Sequence, residues 1–204
     1  MRADNKLQGR VRLATPDDAR RLCSIYSHYV ERTTASFEYI SPSVDEFERR
    51  MRAFSEKCPY LVFCEGKEIL GYAYAHPAFE RAAYAWCAET TIYLDRRAKG
   101  RGIGRVLYRA LIDLLSLQGY KILYAVVVAE NVESCVFHQK NGFRPFATFA
   151  KTGYKLGRWL DVVWYERVLG EFQNGAVAPP LSFVELPTDE INRICNEANA
   201  LLIR

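Results

Sequence analysis

The chain has 204 residues, half of them hydrophobic and a quarter charged, with 28 Lys and Arg against 24 Asp and Glu for a formal net charge of +4. That composition excludes disordered, collagen-like and low-complexity chains, and so small a positive surplus does not by itself argue for nucleic acid. No apolar run approaches the ~20 residues that span a bilayer, and the opening MRADNKLQGRVRLATP lacks the apolar core of a secretory signal, so no membrane partner and a cytoplasmic location are expected.

Val11–Ala14 reads as a short extended run. Thr15-Pro16-Asp17-Asp18 then starts a helix, with a capping hydroxyl, a proline at the first helical position and two acids at the positive helix end. Ser43-Val44-Asp45-Glu46 is a capping box that opens a second helix with Phe47, Met51 and Phe54 on one side. Tyr60–Cys64 and Ile69–Ala75, joined by Glu65-Gly66-Lys67-Glu68, predict a β-hairpin, and Tyr84–Leu94 predicts a long aromatic and β-branched strand. That strand runs through a glycine-rich turn into an amphipathic helix over Arg105–Leu117. A strand at Ile122–Val128 follows, then a short helix opened by Asn131, then strands at Phe143–Phe149 and Trp159–Val168. The Gly, Pro and polar residues from Glu171 mark a linker, and Thr188-Asp189-Glu190 caps a last helix with Ile191, Ile194, Cys195, Ala198, Leu201 and Leu202 on one face.

Six cysteines are spaced irregularly with no CxxC pair, which reads as reduced, buried small hydrophobes rather than a disulfide framework. His28, His76 and His138 share no ligand spacing with them, so no metal is expected.

The positive charges are concentrated at Arg96, Arg97, Lys99, Arg101, Arg105 and Arg109, across the glycine-rich turn. A strand that passes through glycines into a helix is an anion site, because unpaired amides of the first helical turn face the loop and glycines let a phosphate approach. The turn has no P-loop lysine pattern and lacks the third glycine of a dinucleotide fingerprint.

Lys99-Gly100-Arg101-Gly102-Ile103-Gly104 resembles the Gln/Arg-x-x-Gly-x-Gly/Ala signature of the Gcn5-related N-acetyltransferases, the GNAT superfamily, with Lys where Gln or Arg is usual. Asn131 to Phe143 resembles that family's second signature, Asn-x-x-Ser/Ala-x-x-x-Tyr/His-x-x-x-Gly-Phe. Tyr84-Ala85-Trp86-Cys87-Ala88-Glu89-Thr90-Thr91-Ile92-Tyr93 and Gly153-Tyr154-Lys155-Leu156-Gly157-Arg158-Trp159-Leu160-Asp161-Val162 are similar to phosphinothricin and methionine sulfoximine acetyltransferases. The resemblance implies a mixed α/β fold: a mostly antiparallel twisted sheet of about seven strands, flanked by about four helices. It places an acetyltransferase domain at 1–170, a linker at 171–187 and an added amphipathic helix at 188–204. It further implies acetyl-CoA as co-substrate, a small amine acceptor and a homodimer.

Acetyl transfer to an amine requires that the amine lose a proton, that the oxyanion be stabilised and that the leaving thiolate be protonated. Glu89, a lone carboxylate in an apolar run, matches the family's proposed base; as a strand residue it also fits an outward-facing position. His138 shares a helix face with Ser134 and stands where many relatives carry a proton-donating tyrosine; it is read either as that acid or as an oxyanion partner. The resemblance assigns the cofactor to Ile92, Tyr93, Leu94, the loop Lys99, Gly100, Arg101, Gly102, Ile103, Gly104 and Arg105, and to Asn131 and Ser134. It assigns the acceptor to Phe37, Arg81 and Tyr84. A guanidinium clamps a carboxylate or phosphinate bidentately, which singles out Arg81. The competing readings are a GNAT enzyme for another amine or antibiotic, a non-catalytic acetyl-CoA-binding module and, last, a nucleic-acid binder, for which stacking aromatics among the arginines are missing.

Overall fold

The computed structural model describes residues 9–202; the first eight residues of the non-secretory opening and the last two of the 188–204 helix lie outside that range. A seven-stranded sheet is built from β1 (Arg10–Leu13), β2 (Tyr60–Glu65), β3 (Glu68–Pro77), β4 (Cys87–Leu94), β5 (Ile122–Val128), β6 (Arg144–Lys155) and β7 (Arg158–Val168), in the order β1-β2-β3-β4-β5-β7-β6. Every neighbouring pair is antiparallel except β4 and β5. The helices are α1 (Ala19–Arg32), α2 (Val44–Ser55), α3 (Ile103–Gln118), α4 (Val132–Lys140) and α5 (Thr188–Ala200). None of the described helices is long and apolar enough to cross a membrane.

The local signals ahead of α1 and α2 act as the sequence predicts, whereas Thr188 does not cap α5: it is the first helical residue, after Pro187 at the N-cap. Ser43 Oγ accepts from the Glu46 amide at 3.1 Å at the start of α2, and the Asp18 carboxylate reaches back to the Thr15 amide at 2.8 Å ahead of α1.

Two expected boundaries differ. The strand predicted from Tyr84 begins only at Cys87, because Ala82–Tyr84 closes a 3-10 turn in which the Ala85 amide donates to the Ala82 carbonyl. The strand predicted to end at Phe149 continues to Lys155: Lys151 takes φ 51° at a register shift, and the strand resumes against Leu160, Trp159 and Arg158.

One sheet face carries α3 and α5, the other α1 and α2. α3 is buried almost all round, with Leu107, Leu111 and Leu115 fully enclosed. A helix of that kind needs cover on both sides. α5 supplies the outer cover with Ile191, Ile194, Cys195 and Ala198. Asn199 then bonds the edge strand, its Oδ1 accepting from the Val11 amide at 2.7 Å, so the C-terminal segment blocks an edge that would otherwise present free backbone groups. The segment before it is tied down as well: Gln118 Nε2 donates to the carbonyls of Lys57 and Leu181, and Trp86 Nε1 donates to that of Ala178.

β4 and β5 pair in parallel at only three positions, Cys87–Ile122, Ala88–Leu123 and Glu89–Tyr124, and then part. The sheet opens into a cleft there.

Candidate active site

The cleft holds a cavity of about 820 Å³, walled by the diverging halves of β4 and β5, the start of α4 and the loop after α1. Bonds from the Ala78 amide to the Cys87 carbonyl and from the Asp95 amide to the Leu70 carbonyl frame the β3–β4 ladder. In an antiparallel pair such bonds fall on alternate residues, so Tyr93 spends its backbone on β3 while Ile92 and Leu94 turn theirs toward the gap. The Leu94 carbonyl is taken by the Tyr29 hydroxyl at 2.6 Å. The Ile92 amide and carbonyl and the Leu94 amide therefore face the gap, so of the three β4 residues assigned to the cofactor Tyr93 has its backbone turned away, onto β3. The Tyr93 side chain packs instead with Tyr26 and Tyr29.

At the mouth, Gly100 and Gly102 adopt φ 75° and 79°, a region that disfavours other residues, and this turn aims the start of α3 at the cleft. The Arg105 and Val106 amides bond back to Gly102, leaving those of Ile103 and Gly104 at the helix start without an intrahelical partner. A Cβ on Gly104 would press on the Phe137 ring at 3.1 Å, so this glycine serves close packing of α3 on α4. Lys99 and Gly100 line the cavity, whereas Arg101, Gly102, Ile103, Gly104 and Arg105, which lead into and begin α3, are not among its lining residues. The basic cluster is largely neutralised by the protein itself. Lys99 pairs with Glu133 at 2.9 Å, Arg101 with Glu65 at 2.7 Å, Arg97 with Asp95 and Glu68, and Arg109 with Asp113.

Glu89 lies at the bottom, where β4 and β5 separate. Burial raises its carboxyl pKa above the ordinary range, and the neighbouring His76 opposes that shift. On the α4 side His138 is 4% exposed among Tyr108, Phe137, Phe143 and Tyr165. Burial lowers its pKa. Its Nδ1–H donates to the Ser134 carbonyl at 2.8 Å, which fixes the tautomer and leaves Nε2 as an acceptor. A neutral His138 thus accepts a proton before it can give one, a restriction the sequence did not reveal. Asn131 lines the cavity and caps α4, accepting from the Ser134 amide at 3.3 Å.

Phe37 lines the cavity with its ring laid on Gly153 of β6. Lys155 holds that wall in place, its buried Nζ donating to the Val30 carbonyl at 2.6 Å and to that of Ser36. Arg81 and Tyr84 are not brought to the cavity. They sit on the exposed turn between β3 and β4, with Tyr84 packed on Phe79 at 4.8 Å, because the strands end before the loop can fold inward. Sequence reasoning missed Tyr26, Glu38, Tyr74 and His76, all of which line the cavity. Tyr26 donates to Glu38 at 3.0 Å, and its hydroxyl, pushed up to about 12 by burial, is a fixed donor. Among the described residues no group of three His, Cys, Asp or Glu could hold a metal.

Residues 11–164 match the family model for an acetyltransferase (GNAT) domain. The chain belongs to the GNAT acetyltransferases. Among curated relatives, a phosphinothricin N-acetyltransferase of Streptomyces coelicolor is 37% identical over 163 residues, 78% of this chain and 95% of that protein. An L-methionine sulfoximine/L-methionine sulfone acetyltransferase of Salmonella typhimurium is 27% identical over 165 residues, 79% of this chain and 95% of that protein. Among solved structures, a phosphinothricin acetyltransferase of the GNAT superfamily from Sinorhizobium meliloti, in complex with acetyl-CoA, superposes with a TM-score of 0.78 at 31% identity, covering 85% of this chain and 94% of that one. The mixed α/β GNAT fold, the acetyltransferase class and acetyl-CoA as co-substrate follow. The segment beyond residue 164, α5 included, lies outside the family match.

Proposed function

We propose that the protein transfers acetyl from acetyl-CoA to the amino group of a small amino-acid-like acceptor of the phosphinothricin or methionine sulfoximine type, by direct transfer with both substrates bound. The observation that carries this reading is Glu89: a carboxylate with a raised pKa at the bottom of the cleft, where parting strands and a glycine-lined helix start leave room and donors for a thioester arm. Bound acetyl-CoA supplies the electrophilic thioester carbonyl. The Ile103 and Gly104 amides and Lys99 hold its phosphates, while the Ile92 and Leu94 backbones pair with the amides of its arm as a partial extra strand. Asn131 and Ser134 flank that arm. Glu89 removes the ammonium proton of the acceptor, and His138 offers Nε2 as an acceptor from the facing wall. Phe37 and Tyr26 wall the acceptor side.

We read the protein as a cytoplasmic homodimer. Six free cysteines suit a reducing compartment. α1 and α2 cover the β1–β4 half of their sheet face, and the other half is an open aromatic stripe of Phe79, Tyr124, Trp164, Phe146 and Phe149. A second copy seated there also gives Arg81 and Tyr84, which adjoin the stripe, a route to an acceptor.

Thiol release from acetyl-CoA with a panel of small amines tests the activity, and Glu89→Gln tests the base. Glu89→Gln lowers kcat by about a hundredfold or more with acetyl-CoA binding retained; turnover close to that of the wild type overturns the assignment. Absence of thiol release with every amine would favour a binding module.

A further inference from the structure

His76 stands directly across the β3–β4 ladder from Glu89. Residues paired in this way share a sheet face and bring their Cβ atoms to about 5 Å. Both side chains line the cleft cavity. His76 also lines a second cavity of about 390 Å³ between the sheet and α2, and Glu89 does not. The two cavities have Tyr26, Glu38, Tyr74 and His76 in common. The His76 ring is held flat against Phe54, with centroids 5.1 Å apart, and its Nδ1–H donates to the Pro77 carbonyl at 3.0 Å. A carbonyl only accepts, so in the neutral ring Nε2 carries the lone pair.

We propose that His76 is a positioning and proton-relay residue that takes from Glu89 the proton removed from the acceptor amine and releases it through the second cavity. The inference rests on Glu89 being the base. The ammonium gives one proton to the Glu89 carboxylate, leaving a neutral amine and a carboxylic acid. The acid passes that proton to His76 Nε2, which restores the carboxylate and forms an imidazolium, and the imidazolium yields it to water in the second cavity. No oxidant or further reactant is involved. A base buried at the bottom of a cleft that the co-substrate fills needs such an exit for each turnover. The charged and titratable groups around the pair are Tyr72 and Tyr74 on β3, Tyr60 on β2, Tyr26 on α1, Glu38 on the loop after α1 and Arg50 on α2, with Tyr108 on α3 and Tyr124 on β5 beside Glu89. Arg50 is held by Glu38 at 2.7 Å and by Glu46, so His76 is the basic group here without a carboxylate already bonded to it. An imidazolium beside Glu89 also favours the ionised carboxylate.

The test compares pH profiles of the wild type, His76→Ala, His76→Asn and Glu89→Gln, with and without added imidazole. His76→Ala and His76→Asn are expected to lose about tenfold or more in kcat while KM for acetyl-CoA stays unchanged. The acid limb of kcat/KM moves, because only the neutral His76 ring accepts the proton and the variants lack that ionisation. Imidazole restores part of the His76→Ala rate and none of the Glu89→Gln rate. A merely structural role would move neither the acid limb nor the imidazole response. An unchanged acid limb with no rescue overturns the relay, provided Glu89→Gln is inactive; if Glu89→Gln keeps its turnover, the base assignment falls and the relay with it.

Discussion

The two faces of the sheet differ in chemistry as much as in position. Against α3 and α5 the core is mainly aliphatic, with Leu107, Leu111, Leu114, Leu115 and Leu123 fully enclosed beside a few aromatics such as Phe63 and Tyr108. Against α1 and α2 the core is phenolic, with Tyr60 and Tyr74 stacked at 4.7 Å, Tyr72 beside them and Tyr93 tilted against Tyr29. β4 divides its side chains between the two. Ala88 packs toward α3, while Glu89 and Tyr93 join the other side. One face contributes area removed from water, and the other contributes hydroxyls, an imidazole and a carboxylate held at defined places. Glu89 and His138 reach the cleft from opposite faces, so the reaction centre lies where the two kinds of packing meet.

The division is broken most directly by paired substitutions. Leu111→Ala, in the middle of α3, should cost about 2–5 kcal/mol in unfolding free energy, read from denaturant melts, with kcat of the folded fraction unchanged. Tyr74→Phe, on the other face, should cost less than about 1.5 kcal/mol, the size of one hydrogen bond, yet lower turnover, because Tyr74 lines both cavities. Equal stability losses would mean that the phenolic face is ordinary core.

Gly102 joins the faces, since it turns β4 into α3 over the cleft. Its φ of 79° is strained for alanine, and a Cβ there meets nothing within 4 Å. Gly102→Ala should therefore cost about 1–2 kcal/mol through backbone conformation alone and raise KM for acetyl-CoA. A stability loss with no change in that KM would separate the turn from phosphate binding.

Much of this was legible before any fold was known. The glycine turn and the Asn131 helix were found because a turn or a cap writes its requirements into adjacent residues, whereas Glu89 was singled out by resemblance, since its local pattern fits an outward-facing strand residue equally well. What escaped notice depends on distant parts of the chain. His76 lies thirteen positions from Glu89, and only the register of β3 on β4 makes them neighbours. The Asn199 bond to Val11 closes 188 residues, and nothing local announces it. Tyr84 and Trp86 have strand-like side chains, but Arg81 to Ala85 satisfy their backbone in a 3-10 turn, so the strand starts late. Arg81 and Tyr84 came from resemblance, and resemblance carries residue identity without the geometry of one chain.

The smallest effect concerns a partly buried charge pair at the rim of the phenolic face. Arg12 lies across the ladder from Val62 and grips both oxygens of Asp18, at 2.7 and 2.8 Å, just ahead of α1. Burial alone would raise the Asp18 pKa, but the guanidinium and the Thr15 amide outweigh it and hold the carboxyl below its ordinary value near 3.8. A carboxylate whose folded pKa is depressed contributes stability above its unfolded pKa and loses it as pH falls through the folded one. Asp18→Asn should thus cost about 1 kcal/mol, roughly constant between pH 5 and 8, and the gap from the wild type should close below about pH 4. If this face is held by packed rings alone, the two melting curves will coincide at every pH. A gap that persists below pH 3 would mean that the asparagine disturbs the Thr15 turn rather than the charge.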